Sequence, residues 1–287
     1  MKKKRIISLI AFVIFTVLFA VLALFVIPKK KYSFPLNENK LNIAIVGDSL
    51  FCNKSNKAGE KNLAETLEGK LDCEMQNYSI GGTCASKLND GGEPDYYSDK
   101  LGFYNISNII CTGNKASVSD NVRSLSASFP DAFVKLKFLA GTNFDKEDIL
   151  IVNYGINDAF MRVPAVSNDK YDEFTYAGAV RCGVERIIKE YPNLKIVLPE
   201  VTYTTLVYFG ESDGYYDEIT AEYRAAYNAE LKKLADEYEN VYYFDFSENL
   251  EINNDNHDKY LIDGIHFNEV GKEAYASALA DFIGEIK

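Results

Sequence analysis

Tryptophan is absent from the 287 residues, and histidine occurs only twice, at His257 and His266. Two imidazoles are too few for the histidine-rich two-metal sites of many phosphoesterases. Cysteine is sparse and odd in number: Cys52, Cys73, Cys84, Cys111 and Cys182 form no C-x-x-C pair and no Cys/His cluster, which argues against a structural zinc site. Basic charge is scarce in most of the chain. Seven of the 31 Lys and Arg residues fall before residue 32, where no acid occurs, so the remainder is strongly acidic. Such a body repels phosphate backbones, which argues against general nucleic-acid binding. Internal repeats and low-complexity tracts are also missing. With 47% hydrophobic and 25% charged residues, the composition excludes a disordered or collagen-like chain and leaves room for a sizeable core.

One long apolar run is present. Between residues 6 and 27 only Ser8 and Thr16 interrupt it, and a helix of that length, at about 1.5 Å per residue, crosses a ~30 Å hydrocarbon core. Residues 1–5 then form a short cytoplasmic tail, 6–27 an uncleaved membrane anchor, 28–40 a basic stalk, and 41–287 a body outside the cytoplasm. Phe25, Val26, Ile27 and Pro28 offer no small-x-small cleavage site, which favours an anchor over a cleaved signal peptide. In that compartment disulfides persist. Cys84 and Cys111 are candidates for a bridge, and Cys73 and Cys182 read as buried thiols.

The body alternates short apolar runs with amphipathic stretches. Strands are expected at 41–46, 73–80, 148–154, 194–201 and 241–246, and helices at 62–71, 171–190, 216–238 and 268–286. That order belongs to an α/β fold in which helices cover both faces of a five-stranded parallel sheet. Residues 83–147 break the rhythm with a long stretch rich in Gly, Asn, Ser and Asp. Apart from an expected helix at 131–139, it reads as an insertion forming a lid or wall beside a binding site.

Ligands of open parallel sheets sit beyond the carboxyl ends of the strands, and four polar blocks fall there: Gly47-Asp48-Ser49-Leu50, Asn77 to Gly82, Gly155-Ile156-Asn157-Asp158, and Asp263-Gly264-Ile265-His266. Ser49 needs a base to become a nucleophile, and histidine is the natural one near neutral pH. His257 lies in a polar run and reads as a solvated loop residue. His266 follows Asp263 by three positions, a spacing at which a carboxylate reaches the imidazole and fixes its tautomer. The amides of Ser49 and Gly82 and the side chain of Asn157 are placed to donate to an oxyanion. Any one block alone is an ordinary turn or cap. The four together, each at a strand end, are not.

With these four blocks, the sequence resembles the SGNH or GDSL hydrolases over residues 41–287, the 83–147 stretch excepted. The resemblance implies a flavodoxin-like three-layer α/β/α sandwich, Ser49 as nucleophile, His266 as base, Asp263 as its orienter, and Ser49, Gly82 and Asn157 as the oxyanion hole, with no metal or organic cofactor. Members act on lipids, thioesters, aryl esters and acetylated glycans, and the blocks do not choose among these. The tether points to short O-acyl groups on cell-envelope or extracellular carbohydrate, since a body on a short stalk meets wall and surface polymers first. The aromatics Tyr96, Tyr97, Tyr104, Tyr203, Tyr208, Tyr215 and Tyr216 lie in stretches expected to be loops, where they either stack on sugar rings or simply pack beneath those loops. Competing readings are a lipase or thioesterase, an O-acyltransferase, a catalytically silent glycan-binding domain, and a metal-dependent phosphoesterase built on Asp48, Asp158, Asp263 and His266. The Gly-x-Ser-x-Gly elbow of the other large esterase fold is absent.

Overall fold

A computed structural model describes residues 37, 39–52, 60–88, 100–113, 132–205 and 215–287, with the side chains of 215–219 excepted. The apolar run at 6–27 lies outside them; among the described residues no helix is long and apolar enough to cross a membrane.

Five strands, β1 (Leu41–Gly47), β2 (Cys73–Asn77), β3 (Ile149–Asn153), β4 (Lys195–Pro199) and β5 (Val241–Phe244), form one sheet in the order β2-β1-β3-β4-β5. Every pairing is parallel. All five strands therefore end on the same side of the sheet, and the chain reverses direction around β1, where β2 and β3 flank it. A switch point of this kind is where ligands bind in doubly wound sheets.

The period-2 alternation of strand side chains sorts the core into two layers. Ala44, Val46, Leu150, Val152, Ile196 and Leu198 join one buried cluster. Their neighbours Ile43, Ile45, Ile149, Ile151 and Val197 join the other. Helices α2 (Leu63–Glu68) and α9 (Glu269–Ile286) cover the second layer through Leu63, Leu67, Tyr275, Leu279 and Ile283. On the first lie α3 (Phe103–Thr112), α4 (Ala132–Leu139), α6 (Tyr176–Glu190) and α7 (Tyr215–Asp236). Each fully buried Leu, Ile or Val contributes about 1.5–3 kcal/mol of transfer free energy.

Local signals fix the helix starts. Asn62 and Glu65 form a reciprocal capping box on α2, Thr175 caps α6, and Asn268 accepts from Val270 and Gly271 at the start of α9. The expected elements are all present, shorter by one to five residues at some ends.

Two expectations change. The stretch 83–147 is not only a wall: α3 and α4 within it bury Phe103, Ile106, Ile109, Leu136 and Leu139 in the main cluster. A Cβ on Gly183 of α6 would sit 2.3 Å from the Phe103 ring, so α3 lies directly on α6. All five cysteines are free thiols. Cys84 is buried and Cys111 approaches the Arg186 carbonyl at 3.5 Å, so these two form no bridge. Cys73 is buried as expected, whereas Cys182 is half-buried.

Within that stretch, described residues on either side of positions 89–99 are neighbours in space. Phe103 N donates to the Cys84 carbonyl at 3.3 Å, and a Cβ on Gly102 would lie 3.3–3.4 Å from the carbonyl oxygens of Cys84, Ala85 and Ser86.

Candidate active site

β1 ends at Gly47, packed so closely on β3 that a Cβ there would sit 2.4 Å from the Asn153 carbonyl oxygen. Asp48 follows, donates its amide to Asn153 O at 3.0 Å, and accepts Leu50 N on Oδ1 at 3.0 Å. The carboxylate thus caps the short helix α1 (Ser49–Cys52), and Ser49 emerges at its first position. Asp48 is 1% exposed, and burial, reinforced by the charge of Asp158, pushes its pKa up to about 7 against the Leu50 amide and the Asn153 side chain. It does not touch the histidine; its work is to hold the turn.

Beyond β2, the amides of Tyr78 and Ile80 continue the ladder to the carbonyls of Ile45 and Gly47, each at 2.8 Å. Asn77 donates to Phe51 O at 2.8 Å and accepts Ser79 N at 3.0 Å, tying α1 to this loop. The loop lies against the serine, since a Cβ on Gly81 would be 3.5 Å from Ser49 Cβ. Gly82 then takes φ +76°, a conformation that favours glycine. Neither the Gly82 amide nor the Ser49 amide donates to a protein acceptor among the described residues.

β3 delivers the third block through Gly155, at φ +132°, where a Cβ would meet Val201 Cγ2 at 2.5 Å. Helix α5 (Ile156–Phe160) follows. Asn157 Nδ2 donates to Thr83 O at 2.9 Å, which places its amide beside the Gly82 loop and leaves the second N–H of that group to point elsewhere. Asp158 turns the other way. It is fully buried and clasps the start of the 83–147 stretch: Oδ2 accepts Ala85 N at 2.9 Å, and Oδ1 accepts Ser86 N at 3.0 Å and Ser86 Oγ at 2.6 Å. Burial raises its pKa while the three donors oppose the shift.

The fourth block sits in a small antiparallel bridge, Leu261 opposite Phe267, just before α9. Asp263 Oδ1 accepts the amides of Ile265 and His266 at 3.1 and 2.8 Å. Its Oδ2 lies 2.7 Å from His266 Nδ1, and His266 Nε2 lies 2.8 Å from Ser49 Oγ. Burial works against the Asp263 carboxylate, but the amide and ring of His266 and the amide of Ile265 outweigh it and hold its pKa below the ordinary value. The link is half open to water, with the His266 side chain 21% and the Asp263 side chain 48% exposed. From the β4 side, Thr204 Oγ1 and Thr205 N both donate to Gly264 O at 2.9 Å, bracing the loop.

Ser49, His266 and Asp263 therefore form one hydrogen-bonded line, the loop of Gly81 and Gly82 lies against Ser49, and Asn157, in α5, is tied to that loop through Thr83. Such a line moves a proton from a hydroxyl to an imidazole oriented by a carboxylate. A phosphoesterase centre from Asp48, Asp158, Asp263 and His266 does not assemble, because Asp158 faces Ala85 and Ser86 while Asp48 faces its own helix. No group of three or more Cys, His, Asp or Glu side chains is set to hold a metal among the described residues.

The family model for GDSL-like lipases and acylhydrolases matches residues 45–274. The chain belongs to that family. Solved structures similar to this GDSL protein include a carbohydrate acetylesterase from Sinorhizobium meliloti, 14% identical over 86% of this chain and 100% of its own, with TM-score 0.52. A possible lipase from Chitinophaga pinensis is 17% identical over 86% and 99% of the two chains, with TM-score 0.54. A protein from Lactobacillus plantarum is 14% identical over 86% and 97%, with TM-score 0.55. At such identities they share the fold. No curated protein matches the chain. The GDSL protein is an ester-hydrolysing serine hydrolase.

Three functional features escaped the sequence. The clasp by Asp158, the Asn157–Thr83 bond and the Thr204/Thr205 brace on Gly264 each join residues far apart in the chain, and no spacing signals them. His257, expected in solvent, is half-buried beside Tyr203, with ring centres 6.4 Å apart. Of the aromatics expected near substrate, Tyr104 packs instead under Arg186 and Lys87. Tyr96, Tyr97 and Tyr208 lie outside the described residues, as do the side chains of Tyr215 and Tyr216.

Proposed function

We propose that the protein removes acetyl groups from carbohydrate of the cell envelope or from extracellular glycans, held at the membrane by residues 6–27 with the body outside the cytoplasm. The observation that carries the chemistry is the line Asp263–His266–Ser49 at 2.7 and 2.8 Å. Ser49 Oγ attacks the ester carbonyl while its proton passes to His266 Nε2. The tetrahedral oxyanion is met by the amides of Ser49 and Gly82 and by Asn157. Collapse expels the sugar hydroxyl, which takes the proton from His266 and leaves an acetyl-serine. Water, deprotonated by the same imidazole, then releases acetate.

Two observations favour a short acyl group on a sugar over a long chain. Next to Ser49 the space is a small cleft that includes the carboxylates of Asp48 and Glu200, poor company for a long acyl chain. One structural relative is itself named a carbohydrate acetylesterase. The test is a chain-length series of p-nitrophenyl esters, run with and without EDTA, beside acetate release from purified envelope polymers. Preference for acetyl over octanoyl esters and release of acetate are expected. Strong preference for octanoyl esters would make the protein a lipase or thioesterase. Loss of activity in EDTA would refute the serine mechanism.

A further inference from the structure

We propose that the cavity beyond the ends of β4 and β5 is the subsite for the sugar ring that bears the ester, with Arg224 and Glu200 as its recognition residues. This rests on the carbohydrate reading above. The cavity holds about 390 Å³ and is lined by Glu200, Thr202, Tyr203, Arg224, Ser247 and Asn253 among others. That volume lies within the roughly 300–1,000 Å³ of small-ligand sites. The cleft at Ser49 shares Glu200 and Thr202 with it. The two spaces therefore adjoin at these two residues, which sets the larger one beside an ester at Ser49.

The lining chemistry selects the ligand class. Arg224, on α7, spends Nε on the Val201 carbonyl at 3.4 Å, and its guanidinium lies 5.2 Å from the centre of the Tyr203 ring. Tyr203 is held in turn by a hydrogen bond to Asn254, so the ring fixes the guanidinium in place. Its two terminal amino groups donate to no protein acceptor among the described residues and remain available to a ligand. Glu200 supplies the complementary acceptor. Burial, with the nearby charge of Asp245, pushes its carboxyl up to about 7 while Arg224 opposes. One cation set against Glu200, with Asp245 and Glu251 close by, leaves no surplus positive charge for a phosphate or a carboxylated ligand. Phe246, Leu250 and Ile252 share the lining and offer an apolar wall to one face of a ring, whereas the Arg224 and Glu200 pair interrupts the continuous apolar contact that an acyl chain needs. A neutral polyhydroxylated ring satisfies paired donors and acceptors of this kind.

The probe is 6-O-acetylglucose, and the full chain is used throughout. Binding is measured by calorimetry on Ser49→Ala protein, with Arg224→Ala or Glu200→Gln added. Each addition is expected to weaken binding about tenfold or more, the effect of losing one hydrogen bond to a charged group. In protein with Ser49 intact, the kcat/KM for 6-O-acetylglucose relative to that for p-nitrophenyl acetate should fall by a similar factor. Glu200→Gln is isosteric and keeps the test open if Arg224→Ala fails to fold. Unchanged binding together with a ratio within twofold of wild type would overturn the subsite. So would a change confined to acetyl against octanoyl preference, which would place the acyl group in the cavity. Because binding is read without turnover, failure of the subsite is distinct from failure of the hydrolase reading, which would appear as no cleavage of either ester by the wild type.

Discussion

Asp158 gives the sharpest test of how the site is held, because it never approaches the reacting atoms. Its carboxylate accepts three hydrogen bonds from Ala85 and Ser86 with no exposure to water. Asn in its place keeps one acceptor oxygen and turns an NH2 group toward a peptide N–H. If the oxygen stays on Ser86, the Ala85 amide loses its partner. An unsatisfied buried donor costs about 1–3 kcal/mol, and the bonds that remain no longer have a charged acceptor. A loss of roughly 2–4 kcal/mol is therefore expected for Asp158→Asn. For a body of this size that lowers Tm by several degrees, at about 2–4 °C per kcal/mol. The catalytic effect follows from connectivity. The clasped residues continue directly from Gly82 and Thr83, and Thr83 O fixes Asn157. A displacement of ~1 Å at such a site can cost about 10² in rate. Thermal melts and p-nitrophenyl acetate kinetics at 25 °C should show both effects, the kinetic loss mainly in kcat. An Asp158→Asn protein with wild-type Tm and wild-type kcat would refute the clasp.

Ser49→Ala and His266→Ala should each abolish ester hydrolysis with folding intact, measured by kinetics and circular dichroism. Asp263→Asn is expected to retain more activity than either, because its half-exposed carboxylate is screened by water; equal loss in all three would contradict that. Asn157→Ala should lower kcat by about 10² to 10³, the usual effect of removing one oxyanion donor, and a change confined to KM would mean that it only positions substrate. Glu147 is buried and accepts from Gln76 at 2.9 Å. Burial raises its pKa from 4.5 to about 7, against the Gln76 hydrogen bond. The folded state then keeps a proton that the unfolded chain has released, so its contribution is fully present below about pH 4.5 and is lost as pH rises through 7. At about 1.36 kcal/mol per unit this amounts to about 3 kcal/mol. Glu147→Gln should therefore be more stable than wild type at pH 8 and show a flatter decline in Tm from pH 5 to 8. Parallel curves for the two proteins would refute it.

The strands and the four polar blocks were legible because each announces itself locally. A run such as Ile149–Asn153 is apolar on both faces, and Gly47, Gly82 and Gly155 mark the turns at the strand ends. The Asp263–His266 pair is likewise within one turn. What stayed hidden is what the chain assembles over distance. Helix α3 was masked by the polar surroundings of 83–147, although Phe103, Ile106, Ile109 and Ile110 follow helical spacing. Asp158 reads as a ligand or an acid until its partners at Ala85 and Ser86 are seen. The cavity at Arg224 draws on α7 and the segments after β4 and β5, so no window of sequence contains it.

The pinning of Gly102 and Phe103 against Cys84, Ala85 and Ser86 bears on how such proteins diversify. The chain that joins two adjoining points closes a loop, and for a flexible loop the entropy of closure grows only logarithmically with length. Doubling the residues between positions 88 and 100 costs only about 0.6 kcal/mol more. Closure entropy alone therefore sets little limit on the length of sequence joined at those anchors. Neither the hydrogen-bonded line at Ser49 nor the clasp of Asp158 draws on residues 89–99. Natural variation and directed evolution thus have a place to work at low risk to the chemistry.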